Sequence, residues 1–264
     1  MSGETGAAVR GAHDLSGLRA VVTGASRGVG RAVARRLAEL GARVVIVGRD
    51  LASLDLLARE IGASSRQADL CDRAETLALG AALAEDGTDI LVNNAGLSDS
   101  APLERTTDDL WDRTFALDVT APFLLSRALV PRMVQRGFGR VINIASNAGL
   151  TGYAYTSAYG SAKHALVGLT RALAAEVARA GDVTVNAICP GFVDTDMTRA
   201  SVSRIVEKTG RSEAEAKSAL EKMNPQNRLV TVEEVAHLVG FLASPLARGV
   251  NGQAIPLDGG QVMK

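Results

Sequence analysis

The chain is poor in the residues that mark metal-binding, disulfide-bonded and nucleic-acid-binding proteins. It has two cysteines, Cys71 and Cys189, among 264 residues. Two so far apart make neither a disulfide framework nor a thiolate cluster, and each reads as a small buried or half-buried residue. No metal site is expected. Lysine plus arginine and aspartate plus glutamate number 29 each, so the formal net charge is zero. That balance leaves no basic footprint for nucleic acid or an anionic membrane. No apolar run approaches the ~18 residues needed to span a bilayer. The opening MSGETGAAVRGAHD lacks the basic region and apolar core of a signal peptide. These absences point to a cytoplasmic protein without nucleic-acid or membrane partners.

Hydrophobic residues make up 47% of the chain, enough for a substantial core. From Leu18 onward, short β-branched runs alternate with longer helical patterns. RAVVTG (19–24), RVVIV (43–47), DILVN (89–93), RVINIA (140–145), VTVNAI (183–188) and QAIPL (253–257) read as strands, and a further short strand ends near Ala68. Between them lie helical patterns at 31–40, 50–61, 73–85, within 107–135, and from 157 to 179. Apolar strands separated by amphipathic helices fit a parallel sheet covered on both faces. Right-handed crossovers then make a doubly wound α/β fold. The expectation is one domain over residues 15–264, preceded by a flexible extension at 1–14. The polar stretch at about 197–227 breaks the rhythm. It carries a Ser212-x-x-Glu215 capping box and reads as an insertion ahead of a last helix opened by Thr231-x-x-Glu234.

Two local patterns carry chemistry. After the first strand, TGASRGVG places Gly24, Ser26, Arg27, Gly28, Val29 and Gly30 at the mouth of a helix. Glycines there let backbone N–H groups approach a pyrophosphate, and the helix N-terminus favours its charge. The second is AYTSAYGSAKHA, in which Tyr159 and Lys163 stand one helical turn apart. With three tyrosines and five lysines in the chain, chance supplies roughly 0.06 such pairs.

Together with Asn93-Asn94-Ala95-Gly96, Ser146 and Pro190-Gly191, these motifs resemble the short-chain dehydrogenase/reductase family over residues 17–261. The resemblance implies a single-domain Rossmann-like fold of seven parallel strands, a nicotinamide cofactor and a homotetramer. It makes Tyr159 the residue that exchanges a proton with the substrate oxygen. Lys163 would hold the nicotinamide ribose and lower the phenol's pKa, and Ser146 would orient the carbonyl. It further implies Asp69 and Leu70 at the adenine, and Asn93, Ala95 and Gly96 beside the adenosine ribose. Pro190, Gly191, Val193 and Thr195 would hold the nicotinamide.

At the end of the second strand the chain has Val47-Gly48-Arg49, with no carboxylate before Asp50. Arg49 and Arg27 therefore favour a 2′-phosphate, hence NADP(H), over a free 2′-hydroxyl; otherwise they are two solvated surface arginines. The family's fourth catalytic residue is an asparagine, and here the aligned position is Asp118. An aspartate there either couples by charge to Lys163 or accepts the same water hydrogen bonds an asparagine would. The sequence around the insertion and Asn227-Arg228-Leu229 looks most like reductases of 3-oxoacyl thioesters and polyketide ketoreductases. The expected partner is a small carbonyl or alcohol substrate, possibly carried as a thioester. Ala216, Leu220 and Met223 form a stripe that faces either an apolar ligand or else core or a subunit interface. The alternative function is a dinucleotide-binding scaffold with little turnover.

Overall fold

The computed structural model describes residues 13–263, so residues 1–12 of the expected extension lie outside the described residues. Seven strands, β1 (Arg19–Thr23), β2 (Arg43–Gly48), β3 (Ser64–Gln67), β4 (Ile90–Asn93), β5 (Phe138–Ile144), β6 (Asp182–Pro190) and β7 (Ala254–Leu257), form one sheet in the order β3-β2-β1-β4-β5-β6-β7. Every pairing is parallel. This is the doubly wound architecture expected from the alternation and the Rossmann-like fold that the resemblance implies.

The two-residue period of the strands sorts their side chains between two cores. Ala20 and Val22 of β1, with Val44 and Ile46 of β2, pack under α1 (Gly28–Glu39), α2 (Leu51–Ile61) and α9 (Val232–Ala243). Val21, Val45 and Val47 point the other way. There they meet α3 (Arg73–Glu85), α5 (Ala121–Arg136) and α6 (Ser157–Val177). Because both faces are covered, the strands are apolar at consecutive positions rather than alternately.

The long helix expected within 107–135 differs from its sequence reading. It is α4 (Asp108–Phe115), a π-helical turn at Ala116–Thr120, and α5. Pro122 supplies the reason. It has no N–H for the carbonyl of Asp118, and its ring crowds that carbonyl. The turn widens, and Ala121 N–H bonds back to Ala116 O, five residues away.

The stretch after β6 also holds more structure than the one helix expected there. It contains α7 (Asp196–Thr209) and α8 (Glu213–Glu221), and both predicted capping boxes form. Val202, Ala216 and Leu220 give the stretch a small core of its own. A bridge between Val193 and Val230 closes its base. Among the described residues, no helix is long and apolar enough to cross a membrane.

Candidate active site

Strand order reverses between β1 and β4, and an open α/β sheet binds ligands outside the strand C-termini at such a switch point. A cleft of about 1540 Å³ lies there. It runs from the β1–α1 turn to α7 and α8. Gly24, Ser26, Arg27, Gly28, Val29, Gly30, Arg49, Asp69, Leu70, Ala95, Gly96, Ser146, Tyr159, Lys163, Pro190, Gly191, Val193 and Thr195 all line it.

The β1–α1 turn fits a dinucleotide pyrophosphate. Gly24 has φ +65°, which a side chain would strain. A Cβ on Gly30 would stand 2.3 Å from Gly24 O and 2.4 Å from Asn94 Nδ2. Asn94 fixes the turn by donating from its side-chain amide to Thr23 O (2.8 Å) and from its backbone to Thr23 Oγ1 (2.9 Å). Among the described residues, no side chain caps the first turn of α1, and no acidic residue sits in it. Its N–H groups and dipole are therefore free for an anion.

At the other end, helix geometry places Tyr159 and Lys163 on one face of α6, with Lys163 Nζ 5.6 Å from the centre of the Tyr159 ring. Ser146 follows β5, and its hydroxyl, which accepts from Ala148 N–H at 3.1 Å, lies close enough to the Tyr159 phenol to lower its pKa. Burial raises the pKa of Tyr159, Lys163 and Ser146 oppose that rise, and Asp118 adds to it. Cys189, beside this group, is pushed up to about 11 by burial and stays a neutral thiol.

Lys163 Nζ pairs with Asp118 Oδ2 at 3.2 Å and donates to Ile144 O at 3.2 Å. Asp118 is fully buried, and its Oδ1 accepts from Leu97 N–H at 2.9 Å. Burial raises the Asp118 carboxyl, against the Lys163 charge and the Leu97 N–H. Burial also pulls Lys163 down, but Asp118 and then Tyr159 outweigh it and leave Lys163 raised. Asp118 thus touches Lys163 directly, the contact on which the charge-coupling reading depends. Gly96 is what lets the pair approach the chain, since a Cβ there would stand 3.1 Å from Asp118 Oδ1 and 3.3 Å from Lys163 Nζ.

Two site residues differ in placement from the rest. Asp118 acts from behind Lys163 and does not line the cleft. Asn93 does not line it either: its side chain is buried and donates to Asn143 Oδ1 at 2.8 Å, and Asn143 donates in turn to Thr170 Oγ1 at 2.8 Å. That polar chain ties β4 to β5 and α6 beneath the site. Sequence reasoning also missed Gln261, which donates to the Tyr153 hydroxyl (2.9 Å) and accepts from Asn147 Nδ2 (3.1 Å) in the substrate-side wall. It lies more than a hundred residues from both partners, so no local spacing reveals it.

The profile of the family described as short chain dehydrogenase matches residues 19–205. The chain belongs to this family. Among short-chain dehydrogenases it is 38% identical to D-β-hydroxybutyrate dehydrogenase of Cupriavidus necator, over 94% of this chain and 99% of the relative. It is 35% identical to a 3-oxoacyl acyl-carrier-protein reductase of Rickettsia conorii, over 95% and 99%. The structure of a single-site variant of actinorhodin polyketide ketoreductase, solved with NADPH, superposes with a TM-score of 0.86 at 36% identity, over 92% of this chain and 97% of that one. The protein is thus a short-chain oxidoreductase, and a nicotinamide cofactor fits its cleft.

The β1–α1 turn yields a direct test. Gly30→Ala is expected to weaken nicotinamide-cofactor binding at least tenfold by fluorescence titration, about 1.4 kcal/mol, with the far-UV circular dichroism retained. Unchanged affinity would mean that the turn does not hold the cofactor.

Proposed function

We propose that the chain is an NADP(H)-dependent reductase of 3-oxoacyl thioesters or related ketones, and the reverse dehydrogenase. The observation that carries this reading is the meeting of Ser146, Tyr159 and Lys163 in the same cleft as the glycine cradle. A scaffold needs only the cradle.

When bound, the nicotinamide exchanges a hydride with the substrate carbon. The chain's residues handle the rest. The Ser146 hydroxyl donates to the carbonyl oxygen and orients it. The Tyr159 O–H gives its proton to that oxygen as negative charge develops there. Lys163 would hold the cofactor's ribose, and its charge stabilises the phenolate left behind. Asp118 keeps Lys163 charged and anchored. In the oxidative direction the same proton returns to Tyr159.

NADP(H) is supported by Arg27 and Arg49, both lining the cleft. Asp50 is the nearest carboxylate to a ribose 2′-hydroxyl at this strand end. It accepts from the Ser53 hydroxyl and caps α2 by accepting from Ser53 N–H at 3.1 Å, which together hold it below the ordinary carboxylate range. The substrate class is supported by the relatives, whose names describe action on D-β-hydroxybutyrate, on 3-oxoacyl groups of a carrier protein and on a polyketide ketone. The same reading takes residues 15–264 as one catalytic domain, with a substrate lid at about 197–227. It includes a cytoplasmic homotetramer, for which Trp111, stacked on Phe115, and Phe123 offer exposed apolar surface.

Tyr159→Phe is expected to leave less than a tenth of wild-type kcat in ketone-dependent NADPH oxidation while cofactor affinity stays within a few-fold, since general acid catalysis is worth ~10²–10⁴. Retained turnover would remove Tyr159 from the mechanism; a wild type inert to every ketone would favour the scaffold. NADPH is expected to exceed NADH in kcat/KM by at least tenfold, about 1.4 kcal/mol, and Arg49→Asp to flatten or invert that ratio. Equal use of both cofactors by the wild type would contradict the phosphate clamp.

A further inference from the structure

The substrate end of the cleft has a charge pattern that neither proton transfer nor cofactor binding uses. Beyond Tyr159, its charged lining residues are Arg105, Arg204 and Lys208. The carboxylates that line the cleft, Asp50, Asp69 and Asp196, belong to the cofactor end and are engaged there. Asp50 caps α2, Asp69 accepts from Cys71 N–H, and Asp196 pairs with Arg199 at 2.5 Å in the field of Arg27. Arg113 also lines the cleft, but it pairs with Asp109 at 3.4 Å and faces Cys71 on the adenosine side.

Arg204 is the most confined of the three cations. It projects from α7 beside Ile205, Leu220 and Met223 of the same wall, with its side chain 30% exposed. Nη2 donates to Ser201 Oγ at 2.9 Å. Nη1 stands 3.6 Å from Asp99 Oδ1, beyond hydrogen-bond length, and Asp99 is itself half exposed. Nε is shielded from water and has no hydrogen-bond partner among the described residues. A guanidinium in this state has donors to offer a planar or tetrahedral oxyanion, and an exposed carboxylate is a weak competitor for it.

We propose that the substrate carries an anionic group, a carboxylate or a phosphate, and that Arg204 receives it at the mouth of the cleft, with Lys208 and Arg105 adding to the local field. The proposal rests on the reductase reading above and narrows it. The reacting ketone and the anion belong to one molecule that spans from Tyr159 to α7. A short 3-oxo acid supplies the anion as its own carboxylate, and a thioester on a phosphopantetheine arm supplies it as a phosphate. Arg204 is thus a specificity residue, apart from the proton-transfer group.

Matched substrate pairs test this: acetoacetate against ethyl acetoacetate, and acetoacetyl-CoA against the N-acetylcysteamine thioester of acetoacetate. The wild type is expected to favour the charged member of at least one pair by tenfold or more in kcat/KM. The pair that responds tells carboxylate from phosphate. Arg204→Gln is expected to erase the preference through KM of the charged member, leaving the neutral member within about twofold. Asp99→Asn is expected to keep or increase it. If both variants instead slow charged and neutral members alike, Arg204 is a latch on the lid and the proposal fails. Neutral members turned over as well as charged ones would overturn it while leaving the reductase reading intact. If nothing is turned over, the reductase reading fails and calorimetry on the NADPH complex decides the anion site. Saturable binding of acetoacetate or acetoacetyl-CoA, weakened tenfold by Arg204→Gln, supports it, and no saturable binding of either overturns it.

Discussion

A lysine ammonium buried at the end of a β-sheet has to be paid for in charge, and the Lys163–Asp118 pair meets that requirement. Removing one partner of a buried pair typically costs about 3–5 kcal/mol, because the charge left behind has no solvent. Much of the local architecture converges on this contact. Ile144, the last residue of β5, turns its carbonyl to Nζ; Leu97 turns its N–H to the carboxylate; Gly96 leaves room for both. The π-helical turn that Pro122 forces between α4 and α5 contains Asp118 and carries it into the interior. With the ammonium so held, one helical turn of α6 brings the Tyr159 ring within its field.

The sheet's topology joins this proton-transfer group to the glycine cradle. Both lie at strand C-termini, one beyond β1 and the other beyond β5 and on α6, so the strand order alone sets them in one cleft. The Asn93–Asn143–Thr170 chain stiffens the floor between them. At the periphery, α7 and α8 pack on their own small core above a base closed by Val193 and Val230. A segment built that way can vary without disturbing the chemistry below.

Much of the fold was legible because its signals are local. Strand runs such as RVVIV and the capping boxes at Ser212 and Thr231 need only a few neighbouring residues to be read. The stripe Ala216, Leu220, Met223 was only half legible: Ala216 is buried in the small core of this segment, whereas Leu220 and Met223 also line the cleft. The π turn was signalled by Pro122, but the helical period on either side masked it. α7 was missed because its sequence, DMTRASVSRIVEKT, is mostly polar and buries only Thr198 and Val202. In the site, spacing sufficed for Tyr159 and Lys163, which share a helix. It could not show that Asn93 turns away from the cleft, that Gln261 reaches Tyr153, or that Arg204 lies across from Asp99, because each depends on a contact distant in sequence.

Asp118, paired with Lys163, lies close enough for its charge to be felt at Tyr159. The groups that face the phenol are Lys163, Asp118, Cys189 and the Ser146 hydroxyl, and Cys189 remains neutral below its value of about 11. In the proposed ketone reduction Tyr159 must be protonated, so the rate is expected to fall as pH rises through that group's pKa. Asp118 raises that pKa, so replacing it with a neutral isostere removes an upward push. The direct measurement is the pH dependence of kcat for ketone reduction by the wild type and by Asp118→Asn. The expected result is an alkaline limb displaced to lower pH in the variant, and superimposable profiles would contradict the coupling.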